Sequence, residues 1–253
     1  MSNGMERWAG RVAVVTGASS GIGASIAESL AREGMVVVGL ARRKNRLQDT
    51  AEALSIAKGK LYPVQCDVCN EDEILVAFRW IRDHLGAIDV LINNAGVAHF
   101  ANIISGDTEG FRRILDVNVL AVAICTREAV TNMRARRVDG HIININSVSG
   151  HSISSTAGHL SLYPSSKYAM TAMTEVVRRE LISAKTNIKV TSLSPGLVQT
   201  EIMETTDWVE SVGDHDAPSL QAKDIADAVL YILGTPPNVQ ITELTIRPVG
   251  ERI

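Results

Sequence analysis

Little in this 253-residue sequence points to an extracellular, membrane-bound or nucleic-acid-binding protein. Its three cysteines are too few, and odd in number, for a disulfide framework, so we expect a reducing, cytoplasmic compartment. No targeting segment is visible, because the first apolar run, Val12 to Val15, is too short for a signal-peptide core or a membrane span. A formal net charge of −3 gives no general attraction to nucleic acid or anionic lipid. We therefore predict no nucleic-acid partner and no membrane span.

Metal-binding patterns are scarce as well. Cys66 and Cys69 form a C-x-x-C pair, but no second pair of cysteines or histidines follows at the spacing of zinc ligands. The six histidines also lack metal-ligand spacing. We predict that no metal is bound and that the two thiols only flank a loop.

Short apolar runs alternate with helical patterns almost to the end of the chain. The predicted strands are Arg11–Thr16, Met35–Ala41, Leu61–Gln65, Val90–Asn93, His141–Asn146, Ile188–Ser194 and Ile241–Ile246. The predicted helices are Ile22–Glu33, Asn45–Lys58, Glu71–Leu85, Thr108–Arg137, Ser161–Lys185 and Gln221–Leu233. Continuous apolar strands separated by helices indicate a parallel sheet covered on both faces. We predict an α/β, Rossmann-type doubly wound fold of about seven strands, with residues 1–253 forming a single domain.

Two long irregular stretches, residues 147–160 and 195–219, follow the fifth and sixth predicted strands. Both are therefore expected at the carboxyl edge of the sheet, where doubly wound folds bind their ligands. We predict that these two stretches are the substrate loops.

A glycine-rich turn joins the first strand to the first helix, with the sequence Thr16-Gly17-Ala18-Ser19-Ser20-Gly21-Ile22-Gly23. Gly17 can take a tight turn, Gly21 lets the backbone approach a pyrophosphate, and Gly23 permits close packing of helix and strand. The amides at the helix start, around Ser19, Ser20 and Ile22, favour an anion. A purely structural turn could use the same residues, but the strand before it and the helix after it favour a bound dinucleotide.

Three motifs in this order carry a resemblance to a known family. They are the T-G-x-x-x-G-x-G turn, the run Asn93-Asn94-Ala95-Gly96, and Tyr163-x-x-x-Lys167. Together they resemble the short-chain dehydrogenase/reductase family along the whole chain. Further runs, among them Met5-Glu6-Arg7-Trp8 and Asn118-Val119-Leu120, narrow the resemblance to a branch that contains insect farnesol dehydrogenases and the vertebrate dehydrogenase/reductase member eleven.

The residues after the second strand bear on the choice of cofactor. An acid about 20 residues past the glycine turn would bind the ribose 2′-hydroxyl of NAD, but here the strand ends in Ala41, Arg42, Arg43 and Lys44. A guanidinium can hold a 2′-phosphate through two parallel hydrogen bonds, so we predict NADP(H). The alternative is a solvated basic face at the start of the second helix. The resemblance implies that Arg42 is the main phosphate contact and that Arg43 is its neighbour.

The pair Tyr163 and Lys167 carries the predicted chemistry. At a spacing of four residues the two side chains project from one helix face. A free phenol has a pKa of about 10, and lowering it by roughly 3 units takes about 4 kcal/mol of stabilisation of the phenolate. We expect the Lys167 ammonium and the cationic oxidised nicotinamide to lower the pKa, so that Tyr163 acts as general base or acid. In the family the lysine also binds the nicotinamide ribose.

The resemblance implies two further catalytic residues. Ser147, in Ser147-Val148-Ser149-Gly150, matches the family serine that bonds the reacting oxygen, although it stands about three residues further from the tyrosine than usual. We choose Ser147 over Ser149 because it continues the fifth strand. Asn118 matches the family's fourth catalytic residue, which supports a water chain to the lysine. A simple polar helix residue is the alternative for Asn118.

The resemblance also implies the remaining cofactor contacts. Asp67 and Val68 would hold the adenine edge, and Asn94, Ala95 and Gly96 would line the adenosine side. The nicotinamide face and amide would meet the segment from Pro195 to Thr200, and the residues assigned there are Pro195, Gly196, Val198 and Thr200.

The expected substrate is a hydrophobic small molecule. Apolar residues in and beside the two substrate loops can line a pocket, namely Phe100, Ile153, Leu160, Leu162, Met203 and Trp208. The branch favours farnesol or a related isoprenoid alcohol, with ketosteroids or other carbonyls second. By analogy with the family we expect a homodimer or homotetramer built on the fourth and fifth helices. The alternative hypothesis is a catalytically silent dinucleotide-binding regulator. Such a protein would have lost Tyr163, Lys167 or Ser147, and all three are present in this sequence.

Overall fold

The computed structural model describes residues 4–153, 160–201 and 217–251. Seven parallel strands form one sheet in the order β3-β2-β1-β4-β5-β6-β9. Its members are β1 (Val12–Thr16), β2 (Val36–Ala41), β3 (Lys60–Gln65), β4 (Val90–Asn93), β5 (His141–Ile145), β6 (Lys189–Pro195) and β9 (Glu243–Ile246). A separate two-stranded pair joins β7 (Val198–Gln199) to β8 (Leu220–Gln221). The doubly wound parallel fold predicted from the apolar runs is confirmed.

Helices cover both faces of this sheet. They are α1 (Gly21–Arg32), α2 (Lys44–Ala53), α3 (Glu71–His84), α4 (Thr108–Leu115), α5 (Ala121–Arg136), α6 (Tyr163–Ser183) and α7 (Ala222–Gly234). Among the described residues none of these helices is long and apolar enough to cross a membrane.

The strands are apolar on both sides because each face of the sheet packs against helices. Ala13 and Val15 of β1 point into a core shared with α1 and α7, whereas Val12 and Val14 point into a core shared with α3, α5 and α6. Alternate residues of a strand face opposite sides of a sheet, so a strand buried on both sides reads as a continuous apolar run.

Two predicted helices differ from the observed ones. The second ends at Ala53 rather than Lys58, because the chain turns to bring β3 beside β2. In that turn Gly59 donates to the Ala31 carbonyl and lies too close to the Met35 backbone for any side chain. The fourth, predicted as one helix over Thr108–Arg137, is interrupted by a π-helical turn at Asp116–Leu120.

Candidate active site

The glycine turn has the shape expected of a phosphate cradle. Gly17 and Gly21 adopt φ of 67° and 53°, a left-handed conformation that costs glycine little. A Cβ on Gly17 would stand 2.9 Å from the Cα of Ala95, so the turn can approach the loop after β4 only without a side chain. The two loops therefore meet closely at the carboxyl edge of the sheet.

The start of α1 is suited to an anion. Ser20 is its N-cap residue, yet the Ser20 side chain makes no capping hydrogen bond to the helix. Its hydroxyl instead accepts a 2.7 Å hydrogen bond from Arg43. The first amides of the helix are left without a side-chain cap, which is the arrangement that binds a phosphate at a helix start. These residues fit the pyrophosphate of a dinucleotide.

Asn94 and Ala95 tie β4 to β1 behind this cradle. Both of their backbone amides donate to the Thr16 hydroxyl at 3.0 Å. The Asn94 side chain also donates to the carbonyls of Thr16, at 2.9 Å, and Gly17, at 3.3 Å. Asn94 thus holds the ends of β1 and β4 together at this edge of the sheet.

The loop after β3 is also internally bonded. The Asp67 carboxylate accepts from the Cys69 amide at 3.0 Å, and the Asp67 amide donates to Glu73 at 2.8 Å. Val68 packs partly buried against the core on the α3 side. Burial and the acid Asp67 raise the pKa of the Cys69 thiol, while Arg42 lowers it.

Arg42 and Arg43 face different partners. Arg43 reaches across to the glycine turn, where it donates to Ser19 at 3.4 Å and to Ser20 at 2.7 Å, and it forms an ion pair with Glu201. Arg42 is exposed and makes no hydrogen bond or ion pair within the described part of the chain. Its charge is close enough to Cys69 to lower the pKa of that thiol. Arg42 is therefore a cation that a phosphate can engage without displacing a partner.

Ser147 and Tyr163 come together where β5 ends and α6 begins. Ser147 caps a short 3₁₀ turn, Val148–Gly150, and its hydroxyl accepts from the Ser149 amide at 3.1 Å. That hydroxyl also interacts with the Tyr163 phenol and lowers the phenol's pKa. Ser149 lies within the turn. The structure thus brings Ser147 to the tyrosine despite the longer loop between them.

The protein by itself does not make Tyr163 more acidic. Burial is the larger effect and raises the pKa of the phenol above its usual value, and the Ser147 interaction offsets only part of this rise. The expected lowering rests on Lys167 together with the oxidised nicotinamide, and the Lys167 Nζ lies 5.6 Å from the centre of the phenol ring. The cationic oxidised nicotinamide, which the prediction also invokes, would add a second positive charge that favours the phenolate.

Lys167 is buried beneath this pair. Its Nζ donates to the carbonyl of Ile145 on β5 at 3.0 Å, and only 4% of the residue is exposed. Burial lowers the pKa of the ammonium to about 8. The lysine is held at the end of β5, from which it can reach both the phenol and a ligand in the cleft.

Asn118 lies fully buried in the π turn and joins two walls of the site. Its side chain exchanges two 2.9 Å hydrogen bonds with the backbone of Val97, in the loop after β4. It also donates to the Ser166 hydroxyl at 3.0 Å, and Ser166 donates to the Tyr163 carbonyl at 2.7 Å. The π turn, a rare element that is frequent at functional sites, thus places the Asn118 side chain against the start of α6.

The predicted nicotinamide segment lies along the end of β6. Pro195 ends that buried strand, and the Gly196 amide donates to the carbonyl of Ile246 at 2.7 Å. Val198 is buried in the core on the α1 side. The methyl group of Thr200 lies 3.2 Å from the point where a Cβ on Gly21 would stand, so this segment closes against the glycine turn.

The predicted substrate pocket is only partly described. Leu160 is buried, Phe100 and Leu162 are half-buried, and Ile153 is largely exposed. Met203 and Trp208 lie outside the described residues, as do residues 154–159 of the first predicted substrate loop and 202–216 of the second.

Three side chains that the sequence did not single out support the site. Ser166 links Asn118 to the backbone of Tyr163, and Glu201 pairs with arginines that follow β2. Glu251 accepts a 2.8 Å hydrogen bond from the Leu197 amide in the nicotinamide segment. Each acts through contacts between distant parts of the chain, so no local sequence pattern could have revealed it. No group of three or more His, Cys, Asp or Glu side chains within the described ranges could hold a metal ion.

Comparisons with known proteins agree with this geometry. The family model described as short chain dehydrogenase matches residues 11–210. A farnesol dehydrogenase of Aedes aegypti is 49% identical over 250 residues, which cover 98% of this chain and 100% of that protein. A Gallus gallus protein called dehydrogenase/reductase SDR family member 11 is 47% identical over 251 residues, which cover 96% of this chain and 98% of that protein.

Solved structures show the same similarity. A short-chain type dehydrogenase/reductase from Mycobacterium marinum matches with a TM-score of 0.87 and 30% identity, over 95% of each chain. An alcohol dehydrogenase from Thermococcus sibiricus, complexed with 5-hydroxy-NADP, matches with a TM-score of 0.85 and 26% identity, over 96% of this chain and 98% of that one.

The fold, the glycine turn and the comparisons with known proteins together define an oxidoreductase with a Rossmann-type fold that uses a nicotinamide dinucleotide. The chain belongs to the short-chain dehydrogenase family, as its motifs predicted.

Proposed function

We propose that this protein is an NADP-dependent enzyme that interconverts a hydrophobic alcohol and its aldehyde or ketone. The observation that carries the proposal is the meeting of Ser147, Tyr163 and Lys167 at the end of β5, opposite the glycine turn. We propose further that the whole chain forms one such domain and works in the cytoplasm.

The chain's own residues have distinct tasks in this reaction. A bound nicotinamide dinucleotide supplies or accepts the hydride. In alcohol oxidation the Tyr163 oxygen takes the hydroxyl proton, and in carbonyl reduction it donates that proton. The Ser147 hydroxyl donates a hydrogen bond to the reacting oxygen and stabilises the charge that develops there.

Lys167 and Asn118 support this proton transfer. The buried Lys167 ammonium places a positive charge near the site, which favours the phenolate once a ligand adds its own positive charge. Asn118 is a positioning residue, because it holds the loop after β4 against the start of α6 through Val97 and Ser166.

The preference for NADP(H) is proposed from Arg42. Arg42 is exposed beside the end of β2 and makes no hydrogen bond or ion pair within the described ranges. Its sequence neighbours are Ala41 and Arg43, so no adjacent acid is present to bind the ribose 2′-hydroxyl of NAD. A charge-assisted hydrogen bond is worth about 1.5–3 kcal/mol and each 1.4 kcal/mol is tenfold, so the net gain of even one such bond predicts a preference for NADP of roughly tens- to hundreds-fold.

The test is kcat/KM for NADP⁺ and NAD⁺ in the wild type and in two variants. Arg42→Ala should raise KM for NADP⁺ and leave NAD⁺ nearly unchanged, since NAD⁺ has no 2′-phosphate to lose. Ala41→Asp with Arg42→Leu should reverse the preference, because the new carboxylate accepts from the 2′-hydroxyl and repels the phosphate. A wild type that prefers NAD⁺ would show that Arg42 is only part of a solvated helix start.

The substrate class is proposed from the relatives and from the apolar side chains beside the site. The Aedes aegypti relative is named a farnesol dehydrogenase, and Leu160 and Leu162 lie directly before the catalytic tyrosine. We place farnesol or a related isoprenoid alcohol first and ketosteroids or other carbonyls second.

A panel of alcohols tests this proposal. We expect kcat/KM with NADP⁺ to rise from ethanol through geraniol to farnesol, because each buried methylene can add about 0.8 kcal/mol. Hydroxysteroids in the same panel separate the second substrate class from the first. Equal efficiency on ethanol and farnesol would contradict an apolar pocket.

A further inference from the structure

Glu201 joins the end of the nicotinamide segment to the basic residues after β2. One carboxylate oxygen, Oε2, pairs with the Arg43 Nη1 at 3.0 Å, and the other, Oε1, pairs with the Arg46 Nη1. These partners lie more than 150 residues away in sequence, with separations of 158 and 155. Both carboxylate oxygens are thus engaged by guanidinium groups from one short stretch of chain.

This carboxylate stands beside the phosphate cradle. The Arg43 that pairs with Glu201 also donates to the Ser19 and Ser20 hydroxyls of the glycine turn. Thr200, the neighbour of Glu201, lies against Gly21 of the same turn. Glu201 therefore lies at the groove in which the adenosine end of a dinucleotide would run.

The charges around the groove are unequal. Arg42, Arg43, Lys44 and Arg46 contribute four positive charges within five residues, and Glu201 pairs with two of them. The hydrogen bonds from Arg46 and Arg43 lower the pKa of the Glu201 carboxyl, so it is ionised at neutral pH. A phosphate that approaches Arg43 meets a guanidinium already paired with an anion.

We propose that Glu201 is a specificity-determining residue whose carboxylate competes with the cofactor's 2′-phosphate for Arg43 and Arg46. The competition weakens NADP(H) binding and leaves NAD(H), which carries a hydroxyl at that position, almost unaffected. Glu201 thereby limits the cofactor preference that Arg42 creates. This inference rests on the proposed function for its assignment of the 2′-phosphate to the end of β2.

Glu201→Gln tests the competition, because glutamine keeps the size and removes the charge. We expect the dissociation constant for NADP⁺ to fall roughly three- to tenfold, in line with two partly exposed ion pairs, and that for NAD⁺ to change less than about twofold. Isothermal titration calorimetry on the folded protein measures both constants without catalysis. Adenosine 2′,5′-bisphosphate, which carries the 2′-phosphate, should also bind the variant more tightly than the wild type. The affinity for 5′-AMP, which lacks it, should not change.

A matched control separates this local effect from a general change in charge. Glu175 also pairs with two arginines, Arg178 and Arg179, but on α6, away from the groove. Glu175→Gln should leave both dissociation constants unchanged. High salt should reduce the gain in NADP⁺ affinity that Glu201→Gln produces, because mobile ions screen exposed charges.

The outcomes distinguish this inference from the proposed function. Unchanged or weaker NADP⁺ binding in Glu201→Gln, or an equal gain for both cofactors, would overturn the competition, even in a wild type that prefers NADP⁺. A wild type that prefers NAD⁺, but whose Glu201→Gln variant binds NADP⁺ more tightly, would instead overturn the NADP assignment and leave the competition standing.

Discussion

At the scale of single residues, the protein environment disfavours the charged forms of both Tyr163 and Lys167, namely the phenolate and the ammonium. Burial raises the pKa of the first and lowers the pKa of the second. Both shifts have one cause, since a charge is less stable in a desolvated cleft than in water. The pair is therefore set to respond to a cationic ligand, and the protein without a ligand keeps the tyrosine protonated.

The first prediction concerns the Tyr163 proton. Tyr163→Phe should lower turnover at least about a hundredfold, because general acid–base catalysis contributes about 10²–10⁴. The dissociation constant for NADP⁺ should stay within a few-fold of the wild type, because the phenol is not the main cofactor anchor. Tyr168→Phe, an exposed tyrosine one turn further along α6, is the matched control. Turnover like that of the wild type in Tyr163→Phe would refute the assignment.

The second prediction concerns pH. Alcohol oxidation needs the deprotonated phenol, so its kcat/KM should rise with pH as Tyr163 of the cofactor-bound enzyme loses its proton, and carbonyl reduction should fall over the same range. Ser147→Ala removes the interaction that lowers the pKa of Tyr163, so the rising limb should move to higher pH as well as fall in height. Ser149→Ala should leave the limb in place. A shift seen for Ser149→Ala instead would make Ser149 the catalytic serine.

At the scale of elements, β5 carries polar side chains in the middle of the core. Asn144 accepts from Asn93 at 2.9 Å and donates to Thr174 at 2.9 Å, so that amide is paired on both sides. His141, at the start of the strand, bonds Thr191 through Nε2 at 2.8 Å, while its buried Nδ1 has no partner among the described residues. Burial, with Lys189 and Arg7 nearby, lowers the pKa of His141 to about 3.

The third prediction follows from that histidine. Between about pH 6.5, the ordinary value for histidine, and the folded-state value, the unfolded chain binds a proton that the folded chain does not, so stability falls as the pH falls. From pH 7 to 5 this proton should cost about 2 kcal/mol of the free energy of unfolding. His141→Gln should remove that part of the loss in urea unfolding curves. His84→Gln, a change at an exposed histidine, should lose as much free energy of unfolding between pH 7 and 5 as the wild type does. If His141→Gln also lost as much as the wild type, this explanation would be contradicted.

At the scale of the whole molecule, α6 leaves several apolar side chains uncovered in the single chain. Tyr168, Val176 and Ile182 are 43%, 52% and 60% exposed and lie on one side of the helix. Exposed apolar side chains occur at association sites, and we propose that the expected homodimer or homotetramer uses this helix.

The fourth prediction tests that association. Val176→Glu should dissociate the oligomer, as measured by size-exclusion chromatography with light scattering, because it places a charge inside the contact. Ile56→Glu makes the same kind of change at a residue that is 96% exposed in the turn after α2 and should leave the mass unchanged. A wild type that is monomeric would contradict the use of α6 as an interface.

Local patterns in the sequence determined most of the fold and part of the site. Apolar runs such as Val12 to Val15 predict buried parallel strands, because period and composition depend on the residues alone. The glycine turn is equally local, since its conformations need glycine at Gly17 and Gly21. The spacing of Tyr163 and Lys167 places both on one helix face whatever surrounds them.

Only the tertiary structure decided the rest. The direction of the pKa shift at Tyr163 in the protein alone depends on burial by distant segments, which no local pattern shows. The π turn that holds Asn118 packs against α6, and no local pattern marks it. The pairing of Glu201 with Arg43 and Arg46 joins residues more than 150 positions apart, and such contacts exist only once the sheet has brought their strands to one edge.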